Sequence, residues 1–319
     1  MDIINEAKNV FNIEIEALEK TKEALGDNFE KIVLKIVNCT GKVILTGMGK
    51  SGHIASKIAA TFSSLGTSAF FMHPAEALHG DLGMISENDI VIAISYSGES
   101  EEITRIIPNI KLIGATLISI TGNKNSTLAN SSDITQTLPE FSEACYLGLA
   151  PTSSTTAVLC YGDALAVVAS KIYGFNNADF GKFHPSGTLG KRLILKVKDL
   201  MSVDENNAII EQDNLLDEAV VQLSKKGLGI VSVVDENGNL TGVITDGDLR
   251  RQLEKRASIY ELKVKDVMSC NPFLTQPDVL AVDALNILKK NNISRMPVCI
   301  GKKVVGAIRI QDIINAGII

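Results

Sequence analysis

The sequence predicts an α/β protein: a doubly wound, parallel five-stranded sheet flanked by helices, followed by a C-terminal tandem repeat. Two observations support this prediction. Short apolar runs, typical of strands buried on both faces, alternate with helical patterns in the first part of the chain. In the last part, two motifs each occur twice in the same order. A chain of 319 residues, 45% of them hydrophobic, is long enough for more than one globular domain.

The individual elements are read from the spacing of apolar residues. Residues 1–40 have helical spacing, which predicts helix there. Strands are predicted at 43–45, 69–72, 90–94, 115–120 and 134–138, and helices near 51–65, 100–113, 124–130 and 153–173. Ligands of such sheets lie at the carboxyl ends of the strands, so the loops that follow the strands are the places to look for chemistry.

The C-terminal repeat is visible as two returning motifs. Residues 197–201 return as 264–268, and residues 242–249 return as 306–313. Each copy has an extended segment, a helix, a strand, a turn, a strand and a second helix. The predicted domains are therefore a first domain over 1–195 and two modules over 196–258 and 259–319.

Composition excludes several classes of function. A net charge of −6 and a pI near 5.4 argue against a nucleic-acid-binding surface, which needs clustered Lys and Arg. The five scattered cysteines form no C-x-x-C pair and suit reduced thiols in the cytosol. Neither a signal peptide nor a run of about 18 apolar residues is recognisable. We expect a cytoplasmic protein without nucleic-acid or membrane partners.

Residues 47–52, a glycine-rich turn after the first predicted strand, resemble two nucleotide-binding motifs and fit neither. A P-loop is excluded because Ile44 stands where its first glycine belongs. A dinucleotide site lacks the acidic residue expected after the next strand. What remains is an anion-binding loop that opens a helix, with Gly49, Lys50 and Ser51 as its candidate binding residues.

Two clusters of hydroxyl residues also precede predicted helices. Ser95, Ser97 and Ser100 follow the third strand, and Thr152 and Ser153 begin the cluster before the long helix at 153–173. A serine-rich N-cap explains one hydroxyl in such a place. Three hydroxyls within six residues favour a phosphate cradle, because free backbone N–H groups at a helix start add to the side chains.

Together these motifs resemble a known family. Residues 30–195 resemble a sugar isomerase (SIS) domain, and the repeat resembles a pair of cystathionine-β-synthase (CBS) modules; jointly they resemble bacterial D-arabinose-5-phosphate isomerases. The resemblance is carried by residues 47–52, 79–83, 95–103, 148–154 and 183–190. It implies interconversion of D-ribulose 5-phosphate and D-arabinose 5-phosphate, the precursor of 3-deoxy-D-manno-octulosonate, by a homotetramer that needs no cofactor.

The resemblance also implies four catalytic residues: Lys50, Glu102, Glu143 and His184. Glu143 is assigned as the base for the carbon-bound proton, which requires an environment that raises its pKa toward neutrality; the alternative is a solvated loop carboxylate. His184 is assigned proton transfer between the sugar oxygens, or ring opening. Lys50 neutralises phosphate or enediolate charge. Glu102 is a second acid/base group or orients Lys50.

The resemblance implies further site residues to which it assigns no catalytic step. His79 is expected at the substrate, and with His184 it forms a candidate inhibitory metal pair, although the spacing provides no further ligand. In the repeat, Thr245 and Asp248 match the positions that bind adenosine-type ligands, whereas the second copy has Arg309 in place of the threonine. The alternatives there are a phosphate contact by Arg309 or a role in assembly alone.

Two rival functions remain open at this point. A phosphosugar sensor would use the same cradle without turnover, and an isomerase of another phosphosugar would use the same catalytic groups. Sensors with a SIS domain usually carry a DNA-binding module, and the sequence shows none.

Overall fold

A computed structural model describes residues 1–184, 187–255 and 259–318, and the chain divides into two units, Met1–Asp179 and Phe180–Ile319. Pro185 and Ser186, inside the motif 183–190, lie outside the described residues, as does the predicted boundary at 258. The two units are considered separately below.

The helix predicted over residues 1–40 is two helices, α1 (Ile3–Glu23) and α2 (Asp27–Val37). Asp2 begins α1 by accepting hydrogen bonds from the backbone N–H groups of Ile4 and Asn5. Gly26 caps α2 with an extended backbone conformation, so the chain turns between the helices. The prediction of helix here is confirmed, and the short turn between the two helices was not predicted because helical spacing is found on both sides of it.

The first unit contains the predicted five-stranded sheet. Its strands are β1 (Val43–Gly47), β2 (Ala69–Phe71), β3 (Ile90–Ile94), β4 (Thr116–Thr121) and β5 (Ile134–Thr137), all parallel, in the order β2-β1-β3-β4-β5. Every residue of β1 and β3 is buried. The doubly wound fold class is confirmed, and the continuous apolar runs have the expected cause, burial on both faces.

Helices cover both faces of this sheet. They are α3 (Gly49–Ser64), α4 (Pro74–Ala77), α5 (Glu101–Ile113), α6 (Thr127–Ser131) and α7 (Ser153–Tyr173), with a 3₁₀ helix at Asp81–Met84. In the described part of the chain only α7 is long and apolar enough to cross a membrane. It packs against α1, α2 and α3, and ten of its residues are buried, as in the core helix of a globular unit.

The sheet reverses its strand order between β1 and β3, which are hydrogen-bonded neighbours with Gly47 opposite Ile94. The loops that leave these two strands therefore start side by side. In open α/β sheets such a reversal opens a crevice for ligands at the carboxyl edge. The glycine-rich turn and the serine cluster both lie at this edge.

The second unit contains the repeat. Its helices are α8 (Asn177–Phe183), which begins in the first unit, α9 (Thr188–Ile194), α10 (Leu216–Lys226), α11 (Asp246–Glu254), α12 (Val264–Val267), α13 (Ala281–Lys290) and α14 (Ile310–Asn315), with 3₁₀ helices at Val197–Asp199 and Asp204–Asn206. Its strands are β6 (Ile209–Glu211), β7 (Ile230–Val234), β8 (Leu240–Thr245), β9 (Ser269–Cys270), β10 (Arg295–Ile300) and β11 (Lys303–Arg309).

The two copies of the repeat exchange their leading segments. Val197 is buried in the core formed by α13 and β10, and Val264 is buried in the core formed by α10 and β7. Backbone hydrogen bonds fix the exchange, since the Val197 N–H donates to Val279 and the Val264 N–H donates to Asn214. Matching ion pairs join Lys196 and Lys198 to Asp278, and Lys263 and Lys265 to Asp213.

Candidate active site

The glycine-rich turn after β1 starts α3 two residues earlier than predicted, at Gly49, whose φ is +55°. A Cβ on Gly52 would press against the carbonyl oxygen of Gly47, so Gly52 is required for the close packing of α3 on β1. Packing therefore explains Gly52, and it is not needed as a ligand-binding residue. Lys50 is exposed and, in the described part of the chain, its side chain forms no hydrogen bond or ion pair.

The serine cluster after β3 is a preorganised loop. Ser95 is buried; its Oγ lies 3.0 Å from Ser100 Oγ and accepts a hydrogen bond from the Gly98 N–H at 3.1 Å. Gly98 has a φ of +69°, and a Cβ there would overlap the side chain of Ser126. Ser97 is exposed and accepts from the Glu99 N–H at 3.2 Å. The exposed hydroxyl of Ser97 thus lies next to a hydrogen-bonded hydroxyl pair of which Ser95 is buried and Ser100 partly exposed.

Glu143 lies in the loop after β5 and caps the N-terminus of α7. Its Oε2 accepts from Thr152 N at 2.6 Å, Thr152 Oγ1 at 2.9 Å and Ser154 N at 3.3 Å. Burial alone raises the pKa of Glu143, but the hydrogen bonds from Ser154 and Thr152 outweigh it and hold the pKa below its ordinary value. The expectation of a raised pKa was wrong, because the carboxylate faces the donors of a helix start.

Tyr96 belongs to the same edge of the sheet. Its ring centroid lies 6.0 Å from that of Phe141. Burial raises the pKa of Tyr96, and the negative charges of Glu143 and Glu140 raise it further. The phenol is therefore protonated and close enough to Glu143 to respond to its charge. Tyr96 lies between Ser95 and Ser97 in the sequence, but it was not predicted as a site residue.

A small cleft of about 10 Å³ lies where these segments meet, and among the described residues Ser51 is the one predicted site residue that lines it. It is lined by Ser51 of the glycine-rich turn, Tyr96 of the serine loop, and Ser154 and Thr155 of α7, with apolar side chains below them. Because Ser154 also donates to Glu143, the cleft links the turn, the serine loop and the candidate base. From the hydroxyl cluster before α7 the sequence predicts Thr152 and Ser153 as binding residues, whereas Ser154 and Thr155 are the members that line the cleft.

Two hydroxyls near this edge are buried without a hydrogen-bond partner among the described residues, Thr46 Oγ1 on β1 and Ser153 Oγ at the start of α7. Unsatisfied buried polar groups are uncommon in proteins, and four others lie away from this edge, on Thr67, Asn207, Ser232 and Thr275. Ser153 was predicted as a binding residue, and its burial limits it to a ligand atom that reaches the start of α7.

Among the described residues, Glu102 and His79 are not part of the cleft lining. Glu102 is half-buried in the first turn of α5, and within the described ranges no ion pair joins it to Lys50. His79 is exposed in the turn between α4 and the 3₁₀ helix, where its backbone N–H donates to the Glu76 carbonyl. The role of Glu102 in orienting Lys50 stays a prediction, as does contact of His79 with substrate.

His184 belongs to the second unit, directly after α8. Its Nδ1 lies 2.9 Å from the Phe180 carbonyl oxygen, and its ring stacks on Phe180 with centroids 3.9 Å apart. Gly190 of α9 lies so close that a Cβ there would overlap the His184 carbonyl oxygen. Across residues 1–184, 187–255 and 259–318, no group of three or more His, Cys, Asp or Glu side chains could hold a metal ion. The metal pair with His79 stays a prediction.

The predicted ligand residues of the repeat line a cavity of about 480 Å³. Asp248 is buried; its Oδ2 accepts from the backbone N–H and Oγ1 of Thr245 at 2.8 and 2.6 Å, and its Oδ1 from Ser269 Oγ at 3.1 Å. Arg251, also in the cavity wall, pairs with the same carboxylate. Thr245 and Asp248 are therefore brought together at an opening of suitable size for a small ligand.

Fold and site define the class of protein, and comparisons with known proteins agree. The SIS domain family model matches residues 35–168, and the CBS domain model matches residues 197–255 and 264–318. A parallel five-stranded sheet that matches the SIS model, followed by two modules that match the CBS model, is a SIS-domain protein of the sugar-isomerase class.

Full-length relatives give the family. The chain is 43% identical over 318 residues to arabinose 5-phosphate isomerase KdsD of Salmonella typhi and 42% identical over 318 residues to that of Escherichia coli (strain K12), covering 97% of each relative and 100% of this chain. A solved structure of E. coli CFT073 c3406 in complex with arabinose 5-phosphate is 46% identical, with a TM-score of 0.57, and the match covers 58% of this chain and 98% of that one. The chain belongs to the arabinose 5-phosphate isomerase family.

Proposed function

We propose that this protein interconverts D-ribulose 5-phosphate and D-arabinose 5-phosphate through an enediol, which supplies the precursor of 3-deoxy-D-manno-octulosonate. One observation carries the proposal beyond family membership. The glycine-rich turn and the serine loop leave neighbouring strands at the carboxyl edge of the sheet, and Ser51, Tyr96 and Ser154, the last of which donates to Glu143, line one small cleft there. These are the parts that the reaction needs: an anion site, hydroxyl donors and a base.

The phosphate of the substrate binds at the serine loop. Three helices begin at this edge, and each start favours an anion. The start of α7 already holds the Glu143 carboxylate, which repels a second anion. The serine loop at the start of α5 has Ser97 exposed, and the neighbouring turn carries Lys50 with no partner in the described part of the chain. Lys50 compensates the phosphate or enediolate charge.

Glu143 removes the carbon-bound proton. Its low pKa keeps it ionised at neutral pH, so it is ready to accept the proton but is a weak base before the substrate binds. A bound phosphate and the exclusion of water both disfavour the carboxylate charge and raise its basicity. Glu143 takes the proton from C1 of ribulose 5-phosphate and returns it to C2, while His184 transfers a proton between O2 and O1.

The remaining groups and partners complete the proposal. Glu102 acts as a second acid/base group or orients Lys50, and enediol chemistry with these groups requires no cofactor. The protein is a cytoplasmic homotetramer; exposed apolar side chains on α1 and α7, such as Phe11 and Val167, support self-association. The CBS pair binds a nucleotide next to Asp248, supported by the cavity there.

The test is incubation of the purified protein with ribulose 5-phosphate in the presence of a chelator, followed by NMR. The expected result is the signal of arabinose 5-phosphate, undiminished by the chelator. Loss of turnover in the chelator would contradict the cofactor-free mechanism. A protein that leaves ribulose 5-phosphate unchanged but turns over a hexulose phosphate would belong to the rival isomerase function, and one that binds either sugar without turnover would be a sensor.

A further inference from the structure

The side chain of Tyr96 lies across the carboxyl edge of the sheet, from the end of β3 toward the loop after β5. The backbone carbonyl of Tyr96 accepts hydrogen bonds from the Gly122 N–H at 2.9 Å and from Thr121 Oγ1 at 3.1 Å, both at the end of β4. The ring lies near Phe141, which follows β5, with centroids 6.0 Å apart. Tyr96 is therefore held at its backbone and supported at its ring.

Gly122 determines where the hydroxyl end of this ring lies. A Cβ on Gly122 would be 2.9 Å from Tyr96 Cζ, the atom that carries the hydroxyl, and 2.9 Å from Cε2. Gly122 is not among the glycines with a positive φ, so close approach of the ring, and not the backbone conformation, requires a glycine here. A larger residue at position 122 would push the phenol away from its place.

The phenol is an unused hydrogen-bond donor near the candidate base. Burial raises the pKa of Tyr96, and the negative charges of Glu143 and Glu140 raise it further, so the phenol keeps its proton at neutral pH. Glu143 takes its hydrogen bonds from Thr152 and Ser154, and the phenol donates to no atom in the described part of the chain. Tyr96 is 41% exposed, so a ligand at the cleft can reach its hydroxyl.

The proposed reaction needs a donor at this place. When Glu143 takes the proton from C1 of ribulose 5-phosphate, negative charge develops on the oxygen of the neighbouring carbon, C2. A donor for that oxygen must lie close to the base, as the phenol does. The cleft that Tyr96 lines, of about 10 Å³, is close to the smallest space that holds a water molecule, so it admits a sugar oxygen but not a sugar.

We propose that Tyr96 is a further catalytic residue, whose phenol donates a hydrogen bond to the C2 oxygen of ribulose 5-phosphate and stabilises the enediolate. This role rests on the isomerase function proposed above. The phenol keeps its proton throughout, since Glu143 holds the carbon-bound proton and His184 transfers a proton between O2 and O1. The rival role is packing of the ring alone against Phe141 and Gly122, which a phenylalanine would fill equally well.

Tyr96→Phe separates the two roles, because it keeps the ring and removes the hydroxyl. Turnover of ribulose 5-phosphate, followed by NMR, should show kcat lower by about 10²–10³-fold, the loss expected for one donor at a developing oxyanion, with a much smaller change in KM. Exchange of the C1 proton with solvent should fall by the same factor, because the enediolate forms in that step.

Tyr173→Phe is the matched control. Tyr173 is also 41% exposed, and its hydroxyl donates to the Ile36 carbonyl at 3.0 Å at the opposite end of α7 from Glu143. The same chemical change there removes a structural hydrogen bond away from the site. It should leave kcat and proton exchange at the wild-type values, and thermal unfolding should show that both variants are folded.

Gly122→Ala tests the same role without altering Tyr96. Its Cβ should displace the phenol and lower kcat in the wild-type background, yet have little effect in Tyr96→Phe, which has no hydroxyl to displace. An equal fold-loss in the two backgrounds would show that Gly122 does not act through the phenol, and would overturn the proposal. If Tyr96→Phe does not fold, wild-type kcat in Gly122→Ala would overturn it.

The outcomes separate this role from the function on which it rests. A wild type that leaves ribulose 5-phosphate unchanged refutes the isomerase function, and a catalytic Tyr96 with it. An active wild type together with a folded, fully active Tyr96→Phe refutes the role of the phenol alone. Lower turnover with unchanged C1 exchange would also refute it, because the phenol would then act after the enediolate has formed.

Discussion

Replacement of Glu143 by glutamine separates its two roles, as the cap of α7 and as the base. The amide oxygen of glutamine can still accept the hydrogen bonds from Thr152 and Ser154, but without charge. Charged hydrogen bonds contribute about 1.5–3 kcal/mol and neutral ones about 0.5–1.5 kcal/mol. The two shorter bonds, at 2.6 and 2.9 Å, therefore lose about 2 kcal/mol together, and solvent screening of this half-buried group reduces the loss to about 1–2 kcal/mol.

This loss predicts a lower melting temperature, by about 2–8 °C for a unit of this size. Since the folded pKa of Glu143 lies below its ordinary value, its stabilisation is complete above that ordinary value and disappears as the pH falls through the folded pKa. The difference between wild type and Glu143→Gln should therefore be full at pH 7 and shrink below about pH 4.3. Thermal unfolding followed by circular dichroism measures it.

Turnover should fall much more than stability. Loss of a general base costs about 10²–10⁴-fold in rate, and exchange of the C1 proton of ribulose 5-phosphate with solvent should fall by the same factor. Glu140→Gln is the matched control, because Glu140 is exposed in the same loop and its carboxylate forms none of these bonds. Unchanged proton exchange in Glu143→Gln would refute its assignment as the base; unchanged melting at pH 7 would refute the capping argument.

Two other substitutions test the anion site. Gly98→Ala should destabilise the protein by more than the ~1–2 kcal/mol cost of a left-handed conformation, because its Cβ also overlaps Ser126. Gly148→Ala is the control, since Gly148 has a φ of +65° with open space around it and should show the backbone strain alone. Equal melting temperatures of the two variants would refute this reasoning. Lys50→Met should change stability by less than about 0.5 kcal/mol, since Lys50 has no partner in the described residues, yet raise KM for ribulose 5-phosphate at least about tenfold; unchanged KM and kcat would remove Lys50 from the site.

The sheet could be predicted from the sequence because burial on both faces produces continuous apolar runs. The break between α1 and α2 was missed because Gly26 interrupts the chain without interrupting the helical spacing. The exchange of Val197 and Val264 between the repeats depends on tertiary pairing, which no local pattern reports. The sequence therefore predicts elements and their order better than it predicts which repeat a segment packs against.

The candidate site, like the fold, has local features that the sequence predicts and tertiary features that it does not. The serine loop and the glycine-rich turn were found because each is a local motif after a strand. The pKa of Glu143 was predicted in the wrong direction because its cause lies elsewhere: Thr152 and Ser154 become its donors only when α7 docks on the sheet. The sequence does not show the environment of a loop carboxylate, and here the start of a helix nine residues later lowers the pKa of Glu143.

The position of Glu143 also orients the substrate. The start of α7 is occupied by a carboxylate, so we expect the phosphate to bind at the serine loop and the sugar to extend from the end of β3 toward Glu143. The reacting carbon of ribulose 5-phosphate lies at the opposite end of the molecule from its phosphate, which matches this arrangement. If the phosphate instead displaced Glu143 from α7, the base would be moved away from its donors and its pKa would rise. A bound phosphate disfavours the charge of Glu143 in both arrangements, so binding by the wild type weakens as Glu143 ionises in both. Displacement also removes the hydrogen bonds from Thr152 and Ser154 and therefore predicts the larger weakening, measured as the difference in the pH dependence of substrate binding between the wild type and Glu143→Gln.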